Sequence, residues 1–516
     1  MTAETASETR NSLNRRIVRG ATWMIALRFA DRSIGLLSTI VLARLLIPAD
    51  FGLVALATAM VAAVAVLGEF GFDTVLIQNQ RADRSHYDTA WTLGLVRGVV
   101  ACCIIALLAE PVAIFFEDPR LTDLILALAL VPFLEGFYNI GTVAFRKDLT
   151  LNKEFLFRIV PRIAGAVTTA VFAFAWRDYW ALVCGILAGT VLRLVISYVM
   201  HDYRPRLSVA ASREIMGFSK WMLISSVTFF GNQKVSTFII AKFLDAGSLG
   251  IFSIANQISN LAAAELIAPV KQAIFPAYAK LAHDIALLRK AFLDVYGILV
   301  LLALPVAIGI GLTAEFFVPI LLGPKWNAAV PLIEILVISG GLRSLSTHVQ
   351  PVYLAMNQPQ LGAYASVGRA LVSLPALLFV VLHYGIMGAA IVEAFGQLSV
   401  LASSMYLMHR MIQVSLYDIW KACWRGFLAC GMMALAVGAV KMLLPISGSE
   451  LRGQLVLLVV TVLVGLLVYV SSVLLMWQLS GRPTSSAESY LLAYLNQTLR
   501  FRRTTPAQVS SGAGSK

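Results

Sequence analysis

Leu455–Met476 runs for 22 residues without a single charged side chain. At 1.5 Å per residue a helix of that length crosses a hydrocarbon core of roughly 30 Å. Inside a bilayer no water is present to satisfy backbone amides, so a spanning segment is either a helix or part of a closed barrel. A continuous apolar run, rather than short alternating strands, selects the helix. Similar blocks recur along the whole chain. They account for a composition of 59% hydrophobic and 13% charged residues, where a soluble domain sits near half and a quarter. The expected fold class is therefore an all-α polytopic membrane protein.

Fourteen spans are predicted, with edges good to about three residues: 21–43, 51–72, 88–114, 121–145, 155–176, 179–200, 217–243, 249–270, 291–312, 328–355, 361–382, 386–408, 420–443 and 453–477. A polar tail over 1–20, with Arg10, Arg15, Arg16 and Arg19 and no small-residue cleavage site after it, reads as a cytoplasmic tail leading into a retained helix. The other end, 478–516, reads as a second cytoplasmic tail. Tyr490–Arg503 within it fits a short surface helix, and Thr504–Lys516 fits disorder.

Lysine and arginine set the orientation. With the N-terminus inside, about 25 basic residues fall on the cytoplasmic side and about 7 on the other. The outer set is sparse: Arg44, Arg120, Arg177, Lys242, Lys325, Lys441 and Arg452. The weak point is Met356–Leu361, which this orientation places inside and which has no basic residue.

An internal repeat is visible at a shift of 198 residues. Trp23–Ala57 aligns without a gap on Trp221–Ala255. Its core sets LARLLIPADFGLVALA (Leu42–Ala57) against IAKFLDAGSLGIFSIA (Ile240–Ala255). Arg44 falls on Lys242, Leu46 on Leu244 and Gly52 on Gly250. Six spans separate the copies, an even number, so the copies point the same way across the membrane. Two parallel six-helix lobes are expected, 21–200 and 217–409, joined by a cytoplasmic linker over 201–216. The thirteenth and fourteenth helices, within 410–477, stand outside the repeat.

The stretch from Gly20 to Ala57 resembles the opening of bacterial polysaccharide-export flippases, members of the multidrug/oligosaccharidyl-lipid/polysaccharide superfamily. The span count, the cytoplasmic termini and the bare outer loops resemble them too. The layout matches over nearly the whole chain, although only about 35 residues carry a motif-like pattern. The resemblance implies a flippase that moves undecaprenyl-diphosphate-linked oligosaccharide from the inner to the outer leaflet by alternating access, in lipopolysaccharide, capsule or exopolysaccharide assembly. It also implies a cationic cavity, coupling to a proton or sodium gradient, and a polysaccharide polymerase and chain-length regulator as partners. In related peptidoglycan-precursor flippases the last two helices form a groove for the lipid tail.

A charge at mid-bilayer costs roughly 2.5–3.5 kcal/mol on insertion scales, so intramembrane charge is where function is sought. The first helix carries Arg28, Asp31 and Arg32 on one face. Two guanidinium groups suit phosphate or acidic sugar; the alternative is an ion cluster that holds the helix in place. Under the 198-residue shift these three fall on Ser226, Phe229 and Phe230, so the charged face is not duplicated. The seventh helix offers Asn232 and Lys234, and the eighth Asn256 and Asn260, as partners for sugar hydroxyls or for neighbouring helices. Arg343 and Arg369 lie on consecutive helices and are expected to face one cavity, with Arg97 a further buried candidate. Arg158, Arg162 and Arg193 read mainly as interfacial anchors. Asp31, Glu135, Glu265 and Glu393 are the deepest carboxylates, and Glu135 and Glu393 are the candidate ion or proton carriers.

Other functions are disfavoured. The net charge of +13 is dispersed between helices, unlike a nucleic-acid face. Cys102, Cys103, Cys184, Cys423 and Cys430 all lie in apolar blocks without a C-x-x-C pair, so neither disulfide nor metal site is expected. The six histidines are scattered, and no nucleophile or phosphate-loop motif appears. No catalytic residue and no cofactor is therefore assigned. A drug exporter of the same superfamily is the main alternative. It would favour carboxylates and aromatics for cations, whereas about nine basic residues face five or six acidic ones in this membrane core. A glycan ligase or polymerase would need a large outer loop.

Overall fold

The computed structural model describes residues 3–68, 71–79, 82–261, 274–358, 360–444, 451–483 and 487–489. Among these there is no β-strand. Among the described residues nine helices are long and apolar enough to cross a membrane, or ten if one bent pair counts as a single span. Glu265 and the segment 490–516 lie outside the described residues.

The helices follow in order: α1 (Ala3–Leu45), α2 (Pro48–Val66), the short α3 (Phe72–Gln78), α4 (Arg84–Phe116), α5 (Arg120–Gly136), the single-turn α6 (Ala144–Lys147), α7 (Leu151–Trp176), α8 (Trp180–Val199), α9 (Ser212–Phe243) and α10 (Ala246–Ser259). Then come α11 (Ile285–Phe317), α12 (Ala329–Ser346), α13 (Val349–Ala355), α14 (Gln360–Ile412), α15 (Leu416–Leu443) and α16 (Leu451–Leu479). The polar residues before 21, expected as a tail, continue α1 almost to the start of the chain.

Three departures from uniform spans have local causes. The segment expected at 121–145 is not one helix: α5 and the turn of helix after it meet at 72°. Asn139 sits at the break, fully buried, with extended ψ. Its amide N–H donates to Ser197 Oγ (3.1 Å), its Nδ2 donates to the carbonyls of His201 (3.2 Å) and Tyr203 (2.7 Å), and its Oδ1 accepts from the Gly141 amide (3.0 Å). One side chain thus satisfies the backbone that the break exposes. The segment at 328–355 is divided between α12 and α13, where the buried His348 ring lies against Phe292 and Tyr296 at 4.6 and 5.1 Å between centroids. The pair expected at 361–382 and 386–408 is joined through Gly385, whose φ of 58° breaks the helix between them.

The chain forms two compact units. The first comprises Met1–Ile254, Leu321–Ala329 and Ala370–Ala389; the second comprises Ala255–Ile320, Val330–Arg369 and Ala390–Lys516. Within the first unit the helix ends sort into two groups. Arg120, Asp178 and Lys325 all lie within electrostatic reach of Asp50 at one end. At the other end Arg146 pairs with Asp73 (2.6 Å), Lys147 donates to the Asn79 carbonyl (2.9 Å), and Tyr203 donates to Asp88 (2.6 Å). Each connection is thus on the opposite side from the one before it. That alternation is what spans crossing once each require, and it matches the loop assignment made from lysine and arginine.

The second unit has its own core. Tyr278, Phe292, Tyr296, Val349, Met408 and Cys423 form a buried cluster between α11, α13, α14 and α15. Tyr469 of α16 donates to the Leu301 carbonyl at 2.7 Å, and Arg425 of α15 pairs with Glu488 at 2.9 Å, both charges being buried. The first contact ties α16 to α11, and the second ties α15 to the residues that follow α16.

Candidate functional site

In the second unit Arg343 and Arg369 do meet. Arg343 Nη2 donates to Glu393 Oε1 at 2.9 Å, and Arg369 Nη2 donates to the same oxygen at 2.7 Å. Arg369 Nη1 also donates to Gln397 Oε1 at 3.1 Å. Two guanidinium groups around one carboxylate leave a formal charge of one positive. Arg343 comes from α12, and the other three come from the two halves of α14, so the turn at Gly385 is what brings Arg369 back beside Glu393. Glu393, expected as an ion carrier, is in this arrangement the shared acceptor of both arginines.

The first unit holds a similar grouping around Glu135. Arg97 of α4 and Arg193 of α8 lie within electrostatic reach of it. The Arg193 guanidinium also lies over the rings of Tyr138 (5.3 Å) and Phe157 (5.2 Å), a cation–π arrangement that favours a desolvated arginine. The sequence marked Arg193 as an anchor. Nothing in its spacing pointed to Glu135, because the two residues belong to helices that neighbour only in three dimensions.

The helix-one face is different again. Asp31 pairs with Arg162 Nε of α7 at 3.3 Å, a residue that sequence reasoning placed among the anchors. Arg28 and Asp31 are exposed, and Arg32 is half-buried. On α10, Asn260 Nδ2 donates to the Asn256 carbonyl (2.8 Å) and to its Oδ1 (2.7 Å), so this pair spends part of its bonding capacity on itself. Lys234 of α9 is half-buried and has no ion-pair partner among the described residues. Asn232 lies on the same helix, its side chain outside the described residues. Among the described residues no group of three histidine, cysteine or carboxylate side chains is placed to hold a metal ion.

The arrangement can bind anions and order polar groups within a membrane. A family model described as polysaccharide biosynthesis protein matches residues 41–331. The lipopolysaccharide biosynthesis protein WzxC of Escherichia coli (strain K12) is 26% identical over 374 residues, covering 71% of this chain and 75% of the relative. The succinoglycan biosynthesis transport protein ExoT of Rhizobium meliloti (strain 1021) is 21% identical over 380 residues, covering 73% and 76%. Among solved structures, the lipid II flippase MurJ in an inward closed conformation aligns with a TM-score of 0.71 at 11% identity, over 88% of this chain and 98% of that one. A multidrug resistance MATE family transporter in an inward-facing conformation aligns at 0.57 and 16% identity, over 74% and 94%. These likenesses show that the chain shares the fold of those two proteins. With more than half of its 516 residues matched by that one model, the chain belongs to the polysaccharide biosynthesis protein family.

Proposed function

We propose that this chain is a flippase that carries an undecaprenyl-diphosphate-linked oligosaccharide from the inner to the outer leaflet of a bacterial inner membrane, with both termini in the cytoplasm. Fourteen spans arranged as two six-helix lobes plus two further helices would alternate access, driven by a proton or sodium gradient. The product would feed lipopolysaccharide, capsule or exopolysaccharide assembly, with a polymerase and a chain-length regulator as partners. Family membership supports the substrate class. So do the roles named for relatives, among them the probable low-salt glycan biosynthesis flippase Agl15 of Haloferax volcanii.

The observation that carries the reading is the sign of the intramembrane charge. Arg343 and Arg369 share one carboxylate, and Glu135 lies within reach of two arginines. A diphosphate or an acidic sugar is attracted by such surplus positive charge, while a cationic drug is repelled. Arg28 and Asp31, both exposed, belong on a watery path because lipid does not tolerate them. The neutral Asn256–Asn260 pair suits sugar hydroxyls.

The test is leaflet-resolved transport of a labelled undecaprenyl-diphosphate oligosaccharide in proteoliposomes. Transport by the native chain, lost in the Arg28→Ala/Arg32→Ala double variant with insertion unchanged, supports both the flippase and the helix-one site. Transport that survives the double variant keeps the flippase and makes those arginines structural. Absence of transport under either ion gradient moves drug export to the front.

A further inference from the structure

The two copies of the repeat meet at the end of the first unit that carries residues 44–50. Gly52 and Gly250, counterparts under the repeat and each the fifth residue of its helix, lie against each other near the starts of α2 and α10. A Cβ at Gly52 would overlap the Ala246 carbonyl oxygen and stand 2.8 Å from the Gly250 nitrogen. A Cβ at Gly250 would overlap the Pro48 carbonyl oxygen and stand 3.0 Å from the Gly52 nitrogen. The contact is thus backbone on backbone, and reciprocal, and no other residue fits at either position.

A second set of contacts surrounds it. α1 ends at Leu45, and helix C-termini leave carbonyls without intrahelical donors. Here the donors come from the loop after α11. Trp326 Nε1 donates to the Ala43 carbonyl at 2.9 Å, and Lys325 Nζ donates to the carbonyls of Arg44 (3.1 Å) and Leu46. In return Arg44 Nε donates to the Leu321 carbonyl at 3.1 Å. The Trp326 ring is fully buried and meets Phe51 of α2 edge-on at 5.2 Å. Leu321–Ala329 accordingly belongs to the first unit, although the residues on both sides belong to the second.

Lys242, the repeat counterpart of Arg44, does the matching thing on the other copy. Its Nζ donates to the Phe115 carbonyl at the end of α4 (2.7 Å) and pairs with Glu117 (2.8 Å). α4 is the third span of the first half, and α11 is the third span of the second. Each first helix therefore sends a cation to the end of the third span of the opposite half. The two sets differ in makeup: Arg44 and Lys325 are themselves exposed, but their set includes the fully buried Trp326 ring and its buried bond to the Ala43 carbonyl, whereas the Lys242 pair has no buried member, with Glu117 81% exposed.

From this geometry we infer that Arg44, Lys325 and Trp326, with Lys242 as the weaker pseudo-symmetric partner, are a latch that holds one mouth of the translocation path shut over the Gly52–Gly250 contact. It rests on the orientation proposed above, which makes this the outer mouth. Opening requires the helix-end carbonyls to trade these protein donors for water. Trp326, the buried member, keeps the Ala43 carbonyl dry, and the latch is released when the two copies separate.

The test reads the mouth directly and needs no glycolipid. Leu249 of α10 is 1% exposed; Leu249→Cys is placed in a chain whose five native cysteines are replaced by alanine, and a membrane-impermeant maleimide is added from one side of the full-length protein in vesicles. Arg44→Ala with Lys325→Ala should raise labelling from the outer side by about tenfold or more, as loss of several charge-assisted bonds implies. Lys242→Ala should raise it by no more than about fivefold. Gly52→Ala should raise it most, and where that variant does not insert the polar variants still decide. Unchanged labelling in the Arg44/Lys325 variant overturns the latch. So does faster labelling from the cytoplasmic side only. Either outcome stands whether or not the chain moves undecaprenyl-linked sugars.

Discussion

The helix-one face and the Arg343–Glu393–Arg369 cluster use the same ingredients, arginines and one carboxylate, in different surroundings. On α1, Asp31 and its partner Arg162 have 58% and 53% of their side chains exposed, and the pair is held at 3.3 Å. In the second unit Glu393 is 14% and Arg369 11% exposed, and both arginines reach one oxygen at 2.9 Å or less. A screened, loosely held pair contributes up to about 1 kcal/mol. A buried one leaves an uncompensated charge when one partner is removed, at about 3–5 kcal/mol. The first region is thus free to exchange partners for a ligand, and the second is committed to holding α12 and the two arms of α14 in register.

The largest effect expected from that contrast is at Glu393. Glu393→Ala removes the carboxylate that two partly buried guanidinium groups share, leaving their charges uncompensated, and should cost about 3–5 kcal/mol, seen as a sharply lower thermal midpoint and poor yield of inserted protein. Glu393→Ala with normal stability would break the comparison. Arg369→Ala should cost less, because Arg343 and Glu393 remain a neutral pair. About 1–3 kcal/mol is expected, and Arg343→Ala measured alongside shows whether the two arginines are equivalent.

At Arg28 the order of effects should reverse. Arg28→Ala should change the thermal midpoint by no more than the equivalent of about 0.5 kcal/mol, while transport of the anionic glycolipid falls at least about tenfold, the value of one charge-assisted bond. A stability loss as large as that at Glu393 would place both regions in the same structural class. Arg162→Ala separates the alternatives further: a partner that merely shields Asp31 should shift stability by up to about 1 kcal/mol and leave transport measurable.

The smallest effect concerns pH at the mouth. The hydrogen bond from Lys242, followed by its charge, holds the Glu117 carboxyl below the ordinary carboxylate range. A depressed folded value means that this contact is intact above the ordinary glutamate pKa of about 4.3. It is lost as pH falls through the lowered value. Labelling at Leu249→Cys, taken at each pH relative to an exposed cysteine so that the falling thiolate fraction cancels, should therefore be flat between pH 8 and about 5 and rise only below about 4, an increment that Glu117→Gln should abolish. A rise near neutral pH would assign the mouth to a different titrating group.

Much of the fold is legible in the sequence. Long uncharged runs announce membrane helices because backbone amides have no other partner in lipid, and in the first unit basic residues divide the loops into two sets that lie at opposite ends. The repeat is legible too, since Arg44/Lys242 and Gly52/Gly250 keep a constant offset. The breaks are not. Asn139 looks like one polar residue in an apolar segment, and only its contacts with Ser197, His201 and Tyr203 show why the helix turns there. Trp326 passes as an ordinary loop aromatic, since the carbonyl it serves lies 283 residues away in sequence.

The sequence by itself determined what is local or periodic: which segments are helical and apolar, that the chain contains a duplicated opening, and which charges lie within apolar segments. The tertiary structure alone decided the pairings. Asp31 goes to Arg162, Arg343 and Arg369 converge on Glu393, and Lys325 and Trp326 cap α1. The physical reason is that helical periodicity states which face a side chain occupies but not which helix that face meets. In a membrane every apolar face is an acceptable neighbour, so partners are chosen by a few close backbone contacts and by charges that must find one another.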